Sequence, residues 1–163
     1  TVAYFSSPLS EFDFKFFGFQ PGAAEGQQTW ESLCALVALR LWAQHWRSRR
    51  VTLTVRGDSV AMLTLILKFK VPAGSRVMGI IAREMALDVA EAAYAPDLAE
   101  HLPGICNKTA DDLSRLGSPG GPTELPSWLS SVPRTAVPTR DVDYFRALTP
   151  MERRSDFKSS GFQ

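Results

Sequence analysis

An alternating segment followed directly by an apolar helical segment constrains the fold of this chain more than any other feature. Residues 51–56 alternate apolar and polar side chains, which predicts a strand with one buried face. Gly57 and Asp58 end that strand, and residues 59–70, rich in Leu, Ile and Met, predict a helix. A strand that leads into a helix over a few residues is typical of α/β proteins, in which helices cover a sheet.

The remaining segments extend this alternation of strands and helices. The apolar run near the start predicts a strand, and three Phe residues at every second position predict another. Strands are therefore expected at residues 2–5, 12–19 and 94–102, and helices at residues 29–46, 75–93 and 109–116. Together with the first strand and helix, this order predicts an α/β fold whose sheet has mixed pairing.

The composition changes after residue 116. A run of Gly, Ser and Pro follows at residues 117–122, which is typical of a linker. We therefore predict a domain at residues 1–116 and a Pro/Gly-rich extended arm at residues 117–163, with one or two helical turns near residues 140–148.

Charge and cysteine content exclude several classes of protein. The 163 residues carry a net charge of +1, so nucleic-acid binding would need a local basic patch. Two cysteines cannot build a disulfide scaffold. We find no signal-peptide pattern and no apolar stretch long enough to span a membrane. An intracellular location is expected, although the sequence does not indicate a compartment.

Three acidic residues stand at the ends of predicted elements. Glu31 lies near the start of the first long helix, Asp58 follows a strand, and Asp111 begins the helix after the last strand. Carboxylates that converge bind hard cations such as Mg²⁺, and two such ions activate water and stabilise a leaving phosphodiester oxygen. Each residue also has an ordinary explanation, since acids complement helix N-termini and cap helices.

Three blocks of sequence resemble the ribonuclease H domains of retroelements. Residues 30–42 (WESLCALVALRLW) are similar to the Glu-bearing helix, and residues 55–61 (VRGDSVA) resemble the strand-end pattern V-R-S-D-N-x-A. Residues 101–115 (HLPGICNKTADDLSR) resemble the pattern H-x-P-G-x-x-N-x-x-A-D-x-L-S-R, which is the most specific of the three. Residues 81–88 also look like a stretch of reverse-transcriptase-linked members.

The resemblance implies a fold, an activity and a metal site. The family has a five-stranded mixed sheet flanked by helices, and it cleaves the RNA strand of RNA–DNA hybrids with two Mg²⁺ held by four carboxylates. Carried over by motif, Glu31, Asp58 and Asp111 are the catalytic and metal-binding residues. Gly57 and Ser59 replace a common Ser and a common Asn beside the site.

The fourth carboxylate of the family has no counterpart in this sequence. In the family it lies on the first strand, which is central in the sheet, whereas residues 1–5 match the second strand and residues 12–19 the third. We therefore expect the central strand and its Asp to be missing, which would impair metal binding and leave a gap in the sheet. Three explanations stay open: a truncated chain, a strand supplied by another chain, or a relic whose sheet closes differently.

Two functions follow from this interpretation. The first is a degenerate ribonuclease H-like domain, inactive alone, that serves as a structural or interaction subunit with protein partners. The second is a Mg²⁺-dependent ribonuclease H acting on RNA–DNA hybrids, if the missing strand is supplied.

The sequence also has a basic run at Arg47, Arg49 and Arg50. Cations at this position suit the C-terminal end of a helix, and contact with a nucleic-acid backbone is the alternative.

Overall fold

The computed structural model describes residues 2–46, 51–91 and 94–154, and within these ranges the chain is mixed α/β. The described residues form a two-stranded parallel sheet and six α-helices. The strands are β1 (Val51–Gly57) and β2 (Tyr94–His101), and the helices are α1 (Glu11–Phe17), α2 (Gln27–Leu41), α3 (Val60–Lys68), α4 (Arg76–Glu91), α5 (Lys108–Ser114) and α6 (Pro150–Arg154). The basic run at residues 47–50 and the tail at residues 155–163 lie outside the described residues.

The segment predicted as a Phe-rich strand at residues 12–19 is a helix, so this prediction was wrong. Ser10 and Asp13 form a capping box at the start of α1, in which each side chain accepts a hydrogen bond from the other residue's backbone N–H. Gly18 ends α1 in the left-handed conformation, with φ 75°. The rings of Phe12 and Phe16, four residues apart, stack at 5.1 Å. Local capping therefore prevails over the alternating pattern.

The predicted strand at residues 2–5 is reduced to one isolated bridge. Tyr4 pairs with Arg134 in a parallel bridge, and the Thr135 N–H donates to the Tyr4 carbonyl at 2.8 Å. In the described chain neither the segment of α1 nor this short segment joins the sheet that β1 and β2 form. The sheet is therefore smaller than the mixed sheet expected from the sequence, and its pairing is parallel.

The other predicted elements are confirmed, with shifts of a few residues at their ends. Ser59 caps α3 and Ser75 caps α4, each accepting a hydrogen bond from the backbone N–H three residues on. β1 and β2 pair in parallel, with Val55 opposite Ala99 and Gly57 opposite His101. No helix of the described residues is long and apolar enough to cross a membrane.

The main core lies where helices α2, α3 and α4 meet. Apolar residues on the inner faces of these helices are buried, and α1 and the C-terminal part of the chain add aromatic side chains to them. The most completely buried members are Leu33, Leu36, Leu65, Ile66, Ile81, Met85 and Phe145. Since buried apolar area is the main favourable term in folding, this helical cluster holds the domain together.

Residues 138–154, called here the C-terminal segment, lie against this core. Phe145 is fully buried, and its ring stacks on Phe16 at 4.8 Å and meets Phe17 edge-on at 5.8 Å. Leu148 is also buried in the same cluster. The sequence predicted an extended arm here. The division at residue 116 stays a prediction, but the segment beyond it completes the core of the domain before it.

Candidate functional site

The end of the sheet near Gly57 and His101 brings two of the motif blocks together. The Leu102 N–H donates to the Gly57 carbonyl at 2.8 Å, which ties the chain after β2 to the end of β1. Asp58 follows immediately, and the Asn107 side-chain amide donates to its Oδ1 at 3.2 Å. Asp58 and the block at residues 101–115 are therefore neighbours, as expected for residues after the carboxyl ends of adjacent parallel strands.

Gly57 allows the close packing beneath this site. It is buried, and a Cβ at this position would lie 2.6 Å from the Cε of Met62 in α3. A larger residue would therefore require the Met62 side chain to move. The turn from β1 into α3 is therefore packed around glycine at this position.

Asp111 lies in the first turn of α5, one turn after Asn107. Its carboxylate is exposed and receives Arg115 Nη1 at 3.5 Å, a helical pair of residues four apart. The neighbouring Asp112 accepts from Lys108 Nζ at 2.9 Å. Such exposed pairs stabilise a short helix by a few tenths of a kcal/mol. These contacts are local, and they place basic side chains beside both acids.

Glu31 lies in the second turn of α2, because this helix begins two residues earlier than the sequence predicted. Its Oε1 accepts a hydrogen bond from Gln27 Nε2 at 3.0 Å on the same helix. The described residues contain no group of three or more His, Cys, Asp or Glu side chains placed to hold a metal ion. The Mg²⁺ site at Glu31, Asp58 and Asp111 therefore stays a prediction, and the contact from Asn107 links only one of these acids to a neighbouring block.

Sequence reasoning missed a buried polar network between α2, α4 and the C-terminal segment. Arg40 donates to Glu84 and to Asp88, with its Nε 2.7 Å from Asp88 Oδ2. Glu84 is fully buried, and it also accepts from the backbone N–H groups of Arg146 and Ala147. Burial by itself lowers the pKa of Arg40, but the two carboxylates outweigh it and raise the pKa above its usual range. The available signal was the spacing of Glu84 and Asp88, one helical turn apart.

A second buried ion pair joins the C-terminal segment to α1. Arg140 and Asp13 are both buried, with Nη2 2.6 Å and Nε 2.9 Å from the two carboxylate oxygens. This two-pronged geometry is the strongest form of an Arg–carboxylate contact. Burial raises the pKa of Asp13, but hydrogen bonds from Arg140 and Ser10 outweigh burial, so the pKa is lowered. This ion pair links α1 to the C-terminal segment.

The outer edge of β1 is a further surface with recognition chemistry. The Gly57 carbonyl points toward the chain after β2, so the backbone groups of Thr54 and Arg56, an odd number of residues away, point to the opposite edge. In the part of the chain that the structure describes, β1 pairs only with β2. On β2, a shift of register opposite residues 52–54 and the proline at position 96 disfavour further pairing.

Comparison of the chain with family models, with curated proteins and with solved structures found no match. The likeness to retroelement ribonucleases H therefore rests on the sequence blocks quoted above.

Proposed function

We propose that this chain is a degenerate ribonuclease H-like domain of retroelement origin that acts as a structural or interaction subunit. Its partner is a protein that supplies an extended strand to the outer edge of β1. The observation that carries this proposal is the two-stranded parallel sheet, in which β1 has no partner other than β2 among the described residues and Thr54 and Arg56 are exposed. Strand addition to such an edge is a common mode of protein recognition.

Sheet energetics support this role. All-parallel sheets are normally covered on both faces, and a pair of strands is marginal on its own. Here the side chains of Leu53 and Val55 are half-buried, whereas Thr54 and Arg56 on the other face are exposed. An added strand would pair with the backbone of Thr54 and Arg56 and extend the half-buried face. A strand with apolar residues at every second position fits this edge best.

Engagement of the candidate acids also supports a role other than catalysis. Asp111 and Asp112 pair with basic side chains on their own helix, and Glu31 binds Gln27. A two-metal nuclease needs its carboxylates free and convergent. Ribonuclease H activity with Mg²⁺ on RNA–DNA hybrids is the second candidate. The hydrogen bond from Asn107 to Asp58 favours it, since it joins two blocks of the motif.

Amide hydrogen exchange measured residue by residue tests the accessible edge. In the isolated chain we expect the amides of Thr54 and Arg56 to exchange faster than those of Val55 and Gly57, whose backbone groups face β2. A panel of nine-residue peptides that alternate apolar and polar side chains is then screened for binding. A binding peptide should protect Thr54 and Arg56. Equal protection of all four amides in the isolated chain would contradict the proposal.

Variants separate strand addition from adventitious peptide binding. Thr54→Lys places a charge on the edge and should abolish peptide binding, whereas Thr123→Lys, an exposed threonine outside the sheet, should not. A hybrid-cleavage assay with Mg²⁺ tests the second candidate. Cleavage that disappears in Asp58→Asn would establish the enzyme and overturn the scaffold role.

A further inference from the structure

A polar groove opens where the segment around Tyr4 separates from the segment around Arg134. The two segments run parallel and form one bridge, in which Thr135 N–H binds the Tyr4 carbonyl. Where the next bridge would form, the Ser6 carbonyl instead accepts from Arg134 Nη2 at 2.6 Å. The resulting groove has a volume of about 370 Å³ and is lined by Ser6, Ser7, Pro8, Arg134, Thr135, Ala136 and Val137.

The lining of this groove favours an anion. It contains one guanidinium group, the hydroxyls of Ser7 and Thr135, and no carboxylate. The hydroxyl of Ser6 also lines the groove, but it already donates to the Leu113 carbonyl at 3.3 Å. Arg134 is exposed, and among the described residues it makes no ion pair, so most of its N–H groups are available. The hydroxyl of Ser7 contacts only the carbonyl of its neighbour Pro8, at 3.3 Å, in an exposed position. These donors surround a space without a competing negative charge.

We infer that the groove binds a phosphate monoester. A phosphate group offers several acceptor oxygens, and an Arg fork with adjacent hydroxyls matches that geometry better than it matches a neutral ligand. The groove is larger than one phosphate group, and Pro8 and Val137 provide apolar walls for the organic part. Both a free phosphorylated small molecule and a phosphorylated side chain of a protein carry this group. None of the groove residues belongs to the outer edge of β1.

Three probes titrated into the full chain, followed by amide chemical shifts, test the inference. They are inorganic phosphate, O-phospho-L-serine and a short phosphoserine peptide, with L-serine as the unphosphorylated control. We expect saturable shifts at Ser7 and Thr135 with the phosphorylated probes alone. If the peptide binds more tightly than free O-phospho-L-serine, the natural ligand is a phosphorylated protein. If the two bind with equal affinity, the natural ligand is a small molecule. Absence of saturable binding by all three probes would overturn the inference.

Matched variants locate the binding site. Arg134→Met removes the charge but keeps the stem, and it should weaken binding about tenfold or more. Arg76→Met, which removes an exposed arginine outside the groove, should leave affinity unchanged. Equal affinity in both variants and the parent chain, or equal loss in both, would refute the site. If thermal unfolding shows that Arg134→Met is misfolded, Ser7→Ala decides: severalfold weaker binding supports the groove and unchanged affinity refutes it.

Discussion

Asp13→Asn tests most directly how the C-terminal segment is held against the helical core. Asp13 is fully buried at the start of α1, and Arg140, 8% exposed, contacts it through two nitrogens. The substitution keeps the size of the side chain but removes its charge. It therefore leaves the guanidinium of Arg140 buried without a counter-charge, and it weakens the capping box with Ser10.

The expected cost follows from this burial. Removing one partner of a buried ion pair destabilises a protein by about 3–5 kcal/mol, mostly because the other charge stays buried. For a domain of about 150 residues, each kcal/mol lowers the melting temperature by roughly 2–4 °C. We therefore expect Asp13→Asn to lower the melting temperature by about 6–20 °C. The double variant with Arg140→Met should recover part of this loss, because no unpaired charge remains.

Urea and thermal unfolding of the parent chain, both single variants and the double variant give the coupling energy between the two side chains. We expect a coupling of about 2 kcal/mol or more, in the range observed for residues that share a buried contact. Glu11→Gln removes an exposed acid from the same helix and should leave the melting temperature unchanged. A coupling below about 0.5 kcal/mol would show that the C-terminal segment is not fastened through this pair, and would refute the reasoning.

Acidification should reproduce part of the stability loss caused by Asp13→Asn. The pKa of Asp13 is lowered from its usual 3.8, so the charged carboxylate stabilises the fold fully above that pH. This stabilisation is lost as the pH falls through the lowered pKa. Urea unfolding between pH 2 and 5 should therefore be less pH-dependent in Asp13→Asn. Glu84→Gln, which weakens the buried contact with Arg40, should cost about 3 kcal/mol by the same measurement at neutral pH. Phe145→Ala should cost about 3–5 kcal/mol, and limited proteolysis should then cleave the C-terminal segment first. Phe69→Gly should raise the melting temperature, with a gain of about 0.5–1 kcal/mol, since the backbone there is left-handed with φ 51°.

The local elements with strong periodicity could be predicted from the sequence. β1, α3, α4 and β2 lie where the alternation and apolar spacing of the sequence indicated them. α1 could not be found in this way, because three Phe residues at alternate positions gave a strand pattern. Its capping residues and Gly18 are present in the sequence, but each is a short-range signal of about 1 kcal/mol, whereas the alternating pattern extends over several residues.

The candidate site, too, could be predicted only in part from the sequence. The position of Asp58 after β1 followed from the strand pattern, and its contact with Asn107 fits the order of the motif blocks. The hydrogen-bond partners of Glu31 and Asp111 could not be predicted in this way, because they depend on which side chains lie beside each acid on its helix. In the structure Glu31 and Asp111 contact close neighbours on their own helices, whereas Asp58 contacts a residue 49 positions away.

The sequence by itself determined where most helices and strands lie, because apolar periodicity and capping act over a few residues. Only the tertiary structure decided that the Pro-rich C-terminal part belongs to the core. Arg140 meets Asp13 across 127 positions, and Phe145 packs against the Phe side chains of α1, which no local pattern reveals. In the sequence, a charged residue whose partner is far away along the chain cannot be distinguished from an ordinary surface residue. Only folding brings the two together, and their burial then requires that they pair.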